Sequence, residues 1–144
     1  MPSHIVRFKH SSVVTGTQVL TAAFGAAKVH VHDLNAHLPA PLQVGRRYAG
    51  IVNGIHVQLE SANSPTTVTV RLCSDAAGNI TLVPDTTATL VAGIGDATKK
   101  SAAFKVDLPL FQNQALNGNM YVFALVDNGT GNPTLARTVV TWQE

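Results

Sequence analysis

The chain alternates apolar and polar residues over short stretches that are separated by turn-forming residues. In GIVNGIHVQLE, residues 50–60, Ile51, Ile55, Val57 and Leu59 share one side, while Val52 falls on the other side with the polar residues. A period of two is that of a β-strand with one buried face. This stretch therefore predicts a strand that packs on a core through its isoleucines, Val57 and Leu59.

A second stretch, VTVRLCSDAAGNITLVPDTTATLVAG at residues 68–93, predicts a β-hairpin. Its turn at 75–79 contains Gly78, which suits the positive φ that such turns require. The return strand is predicted from about Ile80 to Ala92. Pro84 lies in its middle and cannot donate to a central ladder, so this strand is expected at an edge or at a bulge. The core side of the first strand is formed by Val68, Val70 and Leu72.

Three more strands follow in the second half of the chain. Residues 104–110 are apolar at every second position and predict a one-sided strand. MYVFALV (120–126) and LARTVVTW (135–142) are apolar on both faces, which places them in the middle of a sheet or beneath a contact between subunits. DNGTGNP between them predicts a turn.

The pattern is weaker before Gly45. Short apolar runs occur at 5–8, 13–20 and 29–31, and the two prolines of LPAPLQVGRR indicate an extended connector. TQVLTAAFGAAKV, residues 17–29, is expected to be strand or loop. We therefore predict an N-terminal extension at 1–45 and a β-sandwich domain at 46–144.

Short strands with Gly, Pro and Asn turns and no convincing helix predict an all-β fold. The expected architecture is an antiparallel two-sheet sandwich of Greek-key or jelly-roll type, with an extended N-terminal segment. A closed barrel of the same strands is the alternative.

The amino-acid composition predicts that other subunits cover much of the surface. The 144 residues suit one domain, and only 12% of them are charged, against about 25% in an ordinary soluble domain. Because interface cores are poor in charge, a homo-oligomer fits better than a free monomer. No apolar run reaches the length of a membrane helix or a signal peptide, which predicts a soluble protein. Cys73, the single cysteine, is expected to be a small packing residue.

Charge is unevenly distributed along the chain. Residues 1–50 hold five Lys and Arg against Asp33 alone, a net +4, and five of the six histidines. The basic residues allow nucleic-acid contact, but they are scattered, whereas binding to many phosphates needs a denser cluster. Solvated or interface charge is therefore the favoured interpretation.

The candidate metal ligands are two histidines in KVHVHD and an oxygen-rich turn. His30 and His32 share a strand face and could bind Zn²⁺ with His37 or His56 as a third ligand. However, Val29 and Val31 are predicted to be buried, which leaves both histidines on a polar, solvated or interface face.

The turn at Asp127–Asn132 offers oxygens to Ca²⁺ but lacks an EF-hand pattern and serves equally well as a hairpin turn. We predict no metal and no cofactor.

Catalysis has no support in the sequence, because no serine lies in a Gly-x-Ser-x-Gly elbow and no motif places an acidic pair. We therefore predict no catalytic residues and no enzyme. Trp142 and Tyr121 could stack on a sugar, but their apolar neighbours favour a core or interface position.

Low charge, threonine-rich strands, an extended N-terminal segment and a strand-dense body together resemble small viral structural proteins of the β-sandwich kind, most of all a phage coat, decoration or vertex protein. The resemblance implies self-assembly, other capsid proteins as partners, a place in the virion capsid and subunits soluble in the host cytoplasm before assembly. The sparse basic arm departs from the type that packages RNA, and no membrane is involved.

The expected contacts between copies lie in and just after the N-terminal extension. Its apolar residues would dock on a neighbour as an intersubunit tie, with the two arginines beside them. The residues concerned are Ile5, Phe8, Phe24, Arg46 and Arg47. The alternative function is a carbohydrate- or receptor-binding module that uses the turns at Asp75–Asn79 and Asp127–Asn132.

Overall fold

The structure is a computed structural model that describes residues 9–25, 29–34, 50–110 and 119–143. These residues form β-strands joined by turns, without an α-helix among them. No helix in this part of the chain is therefore long and apolar enough to cross a membrane. The strands are β1 (Lys9–Val19), β2 (Val29–Asp33), β3 (Gly50–Glu60), β4 (Thr67–Cys73), β5 (Thr86–Thr89), β6 (Val91–Gly93), β7 (Asp96–Leu110), β8 (Asn119–Val126) and β9 (Thr134–Gln143).

The strands form two antiparallel sheets that pack face to face. The five-stranded sheet has the order β1-β9-β3-β7-β6, and the four-stranded sheet has the order β2-β8-β4-β5. The chain passes repeatedly from one sheet to the other, which is the connectivity of a jelly roll. The predicted fold class is confirmed. The two strands with apolar residues on both faces, β8 and β9, each lie between two neighbours, as predicted.

The core fills the space between the sheets. Both sheets contribute fully buried side chains, among them Leu59 and Trp142 from the five-stranded sheet and Leu72 and Met120 from the four-stranded one. Alternation along β4 and β7 matches the prediction, because Val68, Val70 and Leu72 are buried and so are Phe104 and Leu108.

The predicted return strand at Ile80–Ala92 is wrong as a single strand. β4 pairs with β5, so the hairpin exists, but Pro84 lies before β5 and outside both strands. At Leu90 the chain leaves the four-stranded sheet and enters β6 of the other. Leu90 is 8% exposed, and its N–H donates to Thr66 O at 2.8 Å, so burial of this leucine accompanies the change of sheet.

The predicted core side of β3 needs one correction at its start. Val52 is fully buried together with Ile55, although the two residues are an odd number of positions apart. The register of β3 shifts between Val52 and Gly54 against both neighbouring strands. Such a bulge inserts one residue and reverses the phase of the alternation, so Val52 points into the core and Ile51 is only half-buried.

The predicted division at residue 45 does not separate an extension from the sandwich in the part of 1–45 that the structure describes. β1 pairs along its length with β9, and β2 pairs with β8. Leu20 and Leu34, which follow these strands, are 0% exposed in the core. The pattern before Gly45 is weak because β2 is short and because β1 carries several serines and threonines. The strands that pair with β1 and β2 lie about 100 residues later in the chain, so the local pattern does not contain them.

Candidate functional site

Four polar side chains meet inside the sandwich at the margin formed by β1 and β2, and we call them the histidine cluster. They are Ser12 of β1, His30 and His32 of β2, and Thr138 of β9. Their exposed fractions are 4%, 2%, 0% and 0%. β1 is an edge strand of one sheet and β2 an edge strand of the other. The cluster therefore joins the two sheets where each of them ends.

Hydrogen bonds connect the four side chains. Thr138 Oγ1 lies 3.0 Å from His30 Nδ1 and 2.6 Å from His32 Nε2. Ser12 Oγ lies 2.9 Å from His32 Nδ1. Within the described chain, His30 Nε2 is buried without a hydrogen-bond partner. Burial lowers the pKa of His30 below the ordinary value of 6.5, because the charged imidazolium loses its hydration there.

The predicted faces of β2 are reversed. His30 and His32 are buried, Val31 is 42% exposed, and Val29 is half-buried. Hydrogen bonds to Thr138 and Ser12 offset the cost of burying the imidazoles, so the strand turns its valines outward. One signal for this arrangement was available, because Thr138 shares its strand phase with the buried Val140 and Trp142.

The geometry does not assemble the candidate zinc ligands. His56 is exposed on the outer face of β3, whereas His30 and His32 point between the sheets, and His37 lies outside the described residues. Among the described side chains, no three His, Cys, Asp or Glu groups lie close enough to hold a metal ion.

The Ser12–His32 pair has the composition of a nucleophile and its base. However, both side chains are buried, and Thr138 rather than a carboxylate contacts the second imidazole nitrogen. A substrate does not reach them, so we interpret the pair as structural.

Cys73 is buried near the outer surface of the four-stranded sheet. Burial, with a smaller contribution from Asp75, raises the pKa of its thiol to about 11. The thiolate is the reactive form of cysteine, and little of it exists at neutral pH when the pKa is so high. The position fits the predicted packing role.

The two turns proposed as a ligand surface lie at opposite ends of the sandwich. The end of β8 at Val126 pairs with Val68 at the start of β4, whereas Tyr121 pairs with Cys73 at the end of β4. The turn at Asp75–Asn79 therefore follows one end of this strand pair, and the turn at Asp127–Asn132 follows the other. A single small ligand cannot contact both turns.

Both turn carboxylates are also engaged by their own chain. Asp75 accepts the N–H groups of Asn79 and Ile80 at 3.1 and 2.7 Å, which holds its pKa below the usual range. Asp127 accepts the N–H of Thr66 at 3.0 Å and also the hydroxyl of Thr66. These contacts favour the turn interpretation over the calcium interpretation.

Of the five predicted contacts between copies, only Phe24 lies within the described residues. Its ring packs against the guanidinium of Arg71, with 4.2 Å between the guanidinium carbon and the ring centroid. Arg71 also makes two hydrogen bonds to Asp85, at 3.0 and 2.8 Å. Phe24 is thus partly covered by its own subunit, and its role between copies stays a prediction. Ile5, Phe8, Arg46 and Arg47 lie outside the described residues.

The outer side of the five-stranded sheet presents a broad surface of low charge, which we call the assembly face. Three rows of four residues cross β1, β9, β3 and β7 in register, and their side chains point away from the core. Two of the twelve residues, Arg137 and Lys105, are charged. The rows are Ser11, Thr141, Gly54 and Lys105; Val13, Val139, His56 and Ala103; and Thr15, Arg137, Gln58 and Ser101.

A shallow polar groove of about 420 Å³ lies at one end of the assembly face. It forms where the registers of β1 and β9 shift, and bulges of this kind redirect side chains. Its polar groups are one carboxylate, one guanidinium, one amide and two hydroxyls. The lining residues are Thr15, Gly16, Thr17, Gln58, Glu60, Ala136 and Arg137.

The aromatic platform for a sugar, the less favoured interpretation of Trp142 and Tyr121, does not form from Trp142. This side chain is 1% exposed and stacks on His10 with 5.3 Å between the ring centroids. Tyr121 is half-buried in β8, on the opposite sheet. The two rings therefore do not share a surface.

No protein-family model matches the sequence, and none of the curated proteins matches it. In structure, the chain is similar to a carbohydrate-binding module of the family 9 glycoside hydrolase Cel9A from Ruminococcus flavefaciens FD-1. That similarity has a TM-score of 0.50 and 11% identity and covers 93% of this chain and 98% of the module. At this identity the similarity shows a shared sandwich fold.

Two virion proteins are also similar to the chain, more weakly. The Tobacco streak virus coat protein has a TM-score of 0.45 and 10% identity, and the similarity covers 96% of this chain and 85% of the coat protein. A chain of the cyanophage Pam1 capsid has a TM-score of 0.39 and 17% identity, and covers 99% and 90%. These values add nothing to the conclusion about the fold.

Proposed function

We propose that the protein is a non-enzymatic structural subunit that assembles with copies of itself through the assembly face. The observation that carries this proposal is the composition of that face, where threonine, serine, valine and alanine replace the lysine and glutamate usual on a free surface. Such a face loses little hydration when a neighbour covers it, as in interface cores.

The edge strand of this face, β1, fits the same function. The chain has no Asp, Glu, Lys or Arg between Lys9 and Lys28, a stretch that includes nearly all of β1. Soluble proteins usually protect long edge strands with charges, because open edges pair with other chains. An uncharged edge is suited to a strand that a neighbour covers.

The size of the face indicates what kind of assembly it supports. Four strands at about 4.8 Å spacing and five residues at about 3.3 Å give a surface of roughly 320 Å². Stable pairwise interfaces bury about 800 Å² on each partner. We therefore expect each subunit to make more than one contact, as subunits do in a closed shell or on an existing lattice. A virion capsid, with other capsid proteins as further partners, is the setting that the sequence resemblance implies.

Light scattering at pH 7.5 tests this proposal. We expect a mass of several chains for the natural protein and a much smaller mass for Val13→Glu, which places a charge in the middle row of the face. Ile80→Glu is the matched control, since Ile80 is 58% exposed in the turn region after β4 and away from the face. A single-chain mass across the micromolar range, or equal effects of the two substitutions, would contradict the proposal.

A second candidate function, carbohydrate binding, is favoured by the polar groove. Carboxylate, amide and guanidinium groups bind sugar hydroxyls by directed hydrogen bonds. Glycan-array binding tests it, with Glu60→Gln expected to abolish binding and Asp107→Asn, an exposed carboxylate of β7, expected to leave it unchanged. An assembled particle without glycan affinity would favour the structural subunit. A soluble oligomer that retains glycan affinity would favour the binding module.

A further inference from the structure

The histidine cluster occupies a position that the proposed assembly depends on. Ser12 lies on β1 between Ser11 and Val13, two residues of the assembly face. The hydrogen bond between Ser12 and His32 therefore ties the inner side of β1 to the other sheet, while the outer side of β1 carries one margin of the assembly face. A change in the cluster acts on both sides of this strand.

All three hydrogen bonds of the cluster form when both imidazoles are neutral. Thr138 has one hydroxyl hydrogen, so it donates to one of the two histidine nitrogens and accepts the N–H of the other. The remaining bond joins His32 Nδ1 to Ser12 Oγ and can run in either direction. An added proton on either imidazole still allows the three bonds, because the hydroxyls can reverse them, but it brings a positive charge into a buried cluster that contains no carboxylate.

His30 is the less well accommodated of the two when it is charged. Its Nε2 has no partner in the described chain, and a Cβ placed on Gly16 would lie 3.7 Å from it. An N–H at this position is buried beside β1, and no acceptor of the described residues lies within hydrogen-bond distance of it. Opening of the margin, which exposes this N–H to solvent, therefore favours the charged form.

Few titratable groups face the cluster from the described elements packed on it. β1 contributes His10, which stacks on Trp142. The inward positions of β8 and β9 hold no charged side chain. The charged and titratable residues at exposed or outward positions of the same four strands are Lys9, Asp33, Tyr121 and Arg137.

We propose that the histidine cluster is an acid-sensitive switch, and that its protonation below about pH 6.5 releases β1 and β2 from the sandwich and so separates assembled copies. This inference rests on the proposed function. β1 and β2 are edge strands with one described neighbour each, so opening them breaks one ladder of hydrogen bonds rather than two. Local opening of this kind costs less free energy than global unfolding.

The direction of the pH dependence follows from the lowered pKa of His30. The opened chain binds a proton more readily than the closed one, so the closed state is favoured most above the ordinary value of 6.5. Its advantage decreases as the pH falls below that value. One unit of difference in pKa corresponds to a tenfold change in the opening equilibrium.

The test measures hydrogen exchange and particle mass on the same samples at pH 7.5 and pH 5.0. After correction for intrinsic exchange rates, we expect protection of the β1 and β2 amides to fall about tenfold or more at pH 5.0, while β3 and β4 keep theirs. The mass is expected to fall with it. His30→Asn keeps a polar group near the position of Nδ1 and does not titrate, so it should remove most of both changes.

His56→Asn is the control, because His56 is an exposed histidine on the assembly face and lies outside the cluster. Loss of the pH response in His56→Asn but not in His30→Asn would overturn the switch. Unchanged protection of the β1 and β2 amides at pH 5.0 in the natural protein would also overturn it, and that measurement needs no variant. A particle that stays intact at pH 5.0 would overturn the switch alone. A single-chain mass at pH 7.5 would overturn the proposed function, and the control of assembly with it.

Discussion

At the scale of single residues, the hydroxyl of Thr138 links the two sheets through two buried histidines. It contacts both buried histidines from the opposite sheet. The sequence separates Thr138 from His32 by 106 residues. The local pattern therefore could not show that these histidines are buried.

Thr138→Val tests this role. The substitution keeps the shape of the side chain but leaves two buried imidazole nitrogens without a partner, so we expect the free energy of unfolding to fall by about 2 kcal/mol. Urea unfolding at pH 7.5 measures it. Thr89→Val, at an exposed position of β5, should change stability by less than about 0.5 kcal/mol. A loss of stability at Thr138 as small as the one at Thr89 would show that the cluster contributes nothing to stability.

Gly78 is a second residue whose identity the structure explains. Its φ is +75°, and a Cβ there would lie 3.1 Å from the ring of Phe123. Gly95 has a φ of +81°, but a Cβ would meet nothing within 4 Å. The two glycines share the backbone requirement and differ in the available space.

We expect Gly95→Ala to cost about 1 kcal/mol, which is the penalty for an alanine with positive φ. Gly78→Ala should cost at least about 1 kcal/mol more, because the methyl group also displaces the Phe123 ring. Thermal unfolding of the two variants measures the difference. A smaller effect at Gly78 than at Gly95 would mean that the turn does not cover Phe123 in solution.

At the scale of elements, the sequence predicted strands well where alternation is long and uninterrupted. β4 and β7 have the predicted buried sides, and the turn at 75–79 contains a glycine with positive φ as expected. The errors occur at a bulge in β3, at the change of sheet after β5, and in β2. In each case the determining interaction is with a distant strand, which a local pattern does not contain.

The membership of β1 and β2 in the sandwich can be tested at Leu20. This side chain is fully buried, so Leu20→Ala should lower the free energy of unfolding by about 2–5 kcal/mol. Val19 is 49% exposed, and Val19→Ala should be nearly neutral. Chemical unfolding followed by circular dichroism compares the two. A negligible cost at Leu20 would restore the idea of an arm that is separate from the core.

At the scale of the whole molecule, low charge has a consequence for the proposed assembly. The charged residues of the assembly face, Arg137 and Lys105, are both positive, so ion pairs do not hold two such faces together. Raising the NaCl concentration from about 0.05 to about 0.5 M should leave the dissociation constant unchanged or slightly lower, because salt screens repulsion. Sedimentation analysis measures it. Dissociation in high salt would indicate that ion pairs with other residues hold the copies together.

The pairing of β1 with β9 also sets the order in which the molecule is completed during synthesis. β9 begins at Thr134, long after β1 ends at Val19, and a ribosome needs roughly 6 to 23 s to add the residues between them. Until then the five-stranded sheet lacks the strand that joins β1 to β3. Val139 and Thr141 of the assembly face are also missing from every shorter nascent chain. Prematurely terminated chains thus lack the surface that would admit them to a particle, and only chains translated through β9 can be incorporated.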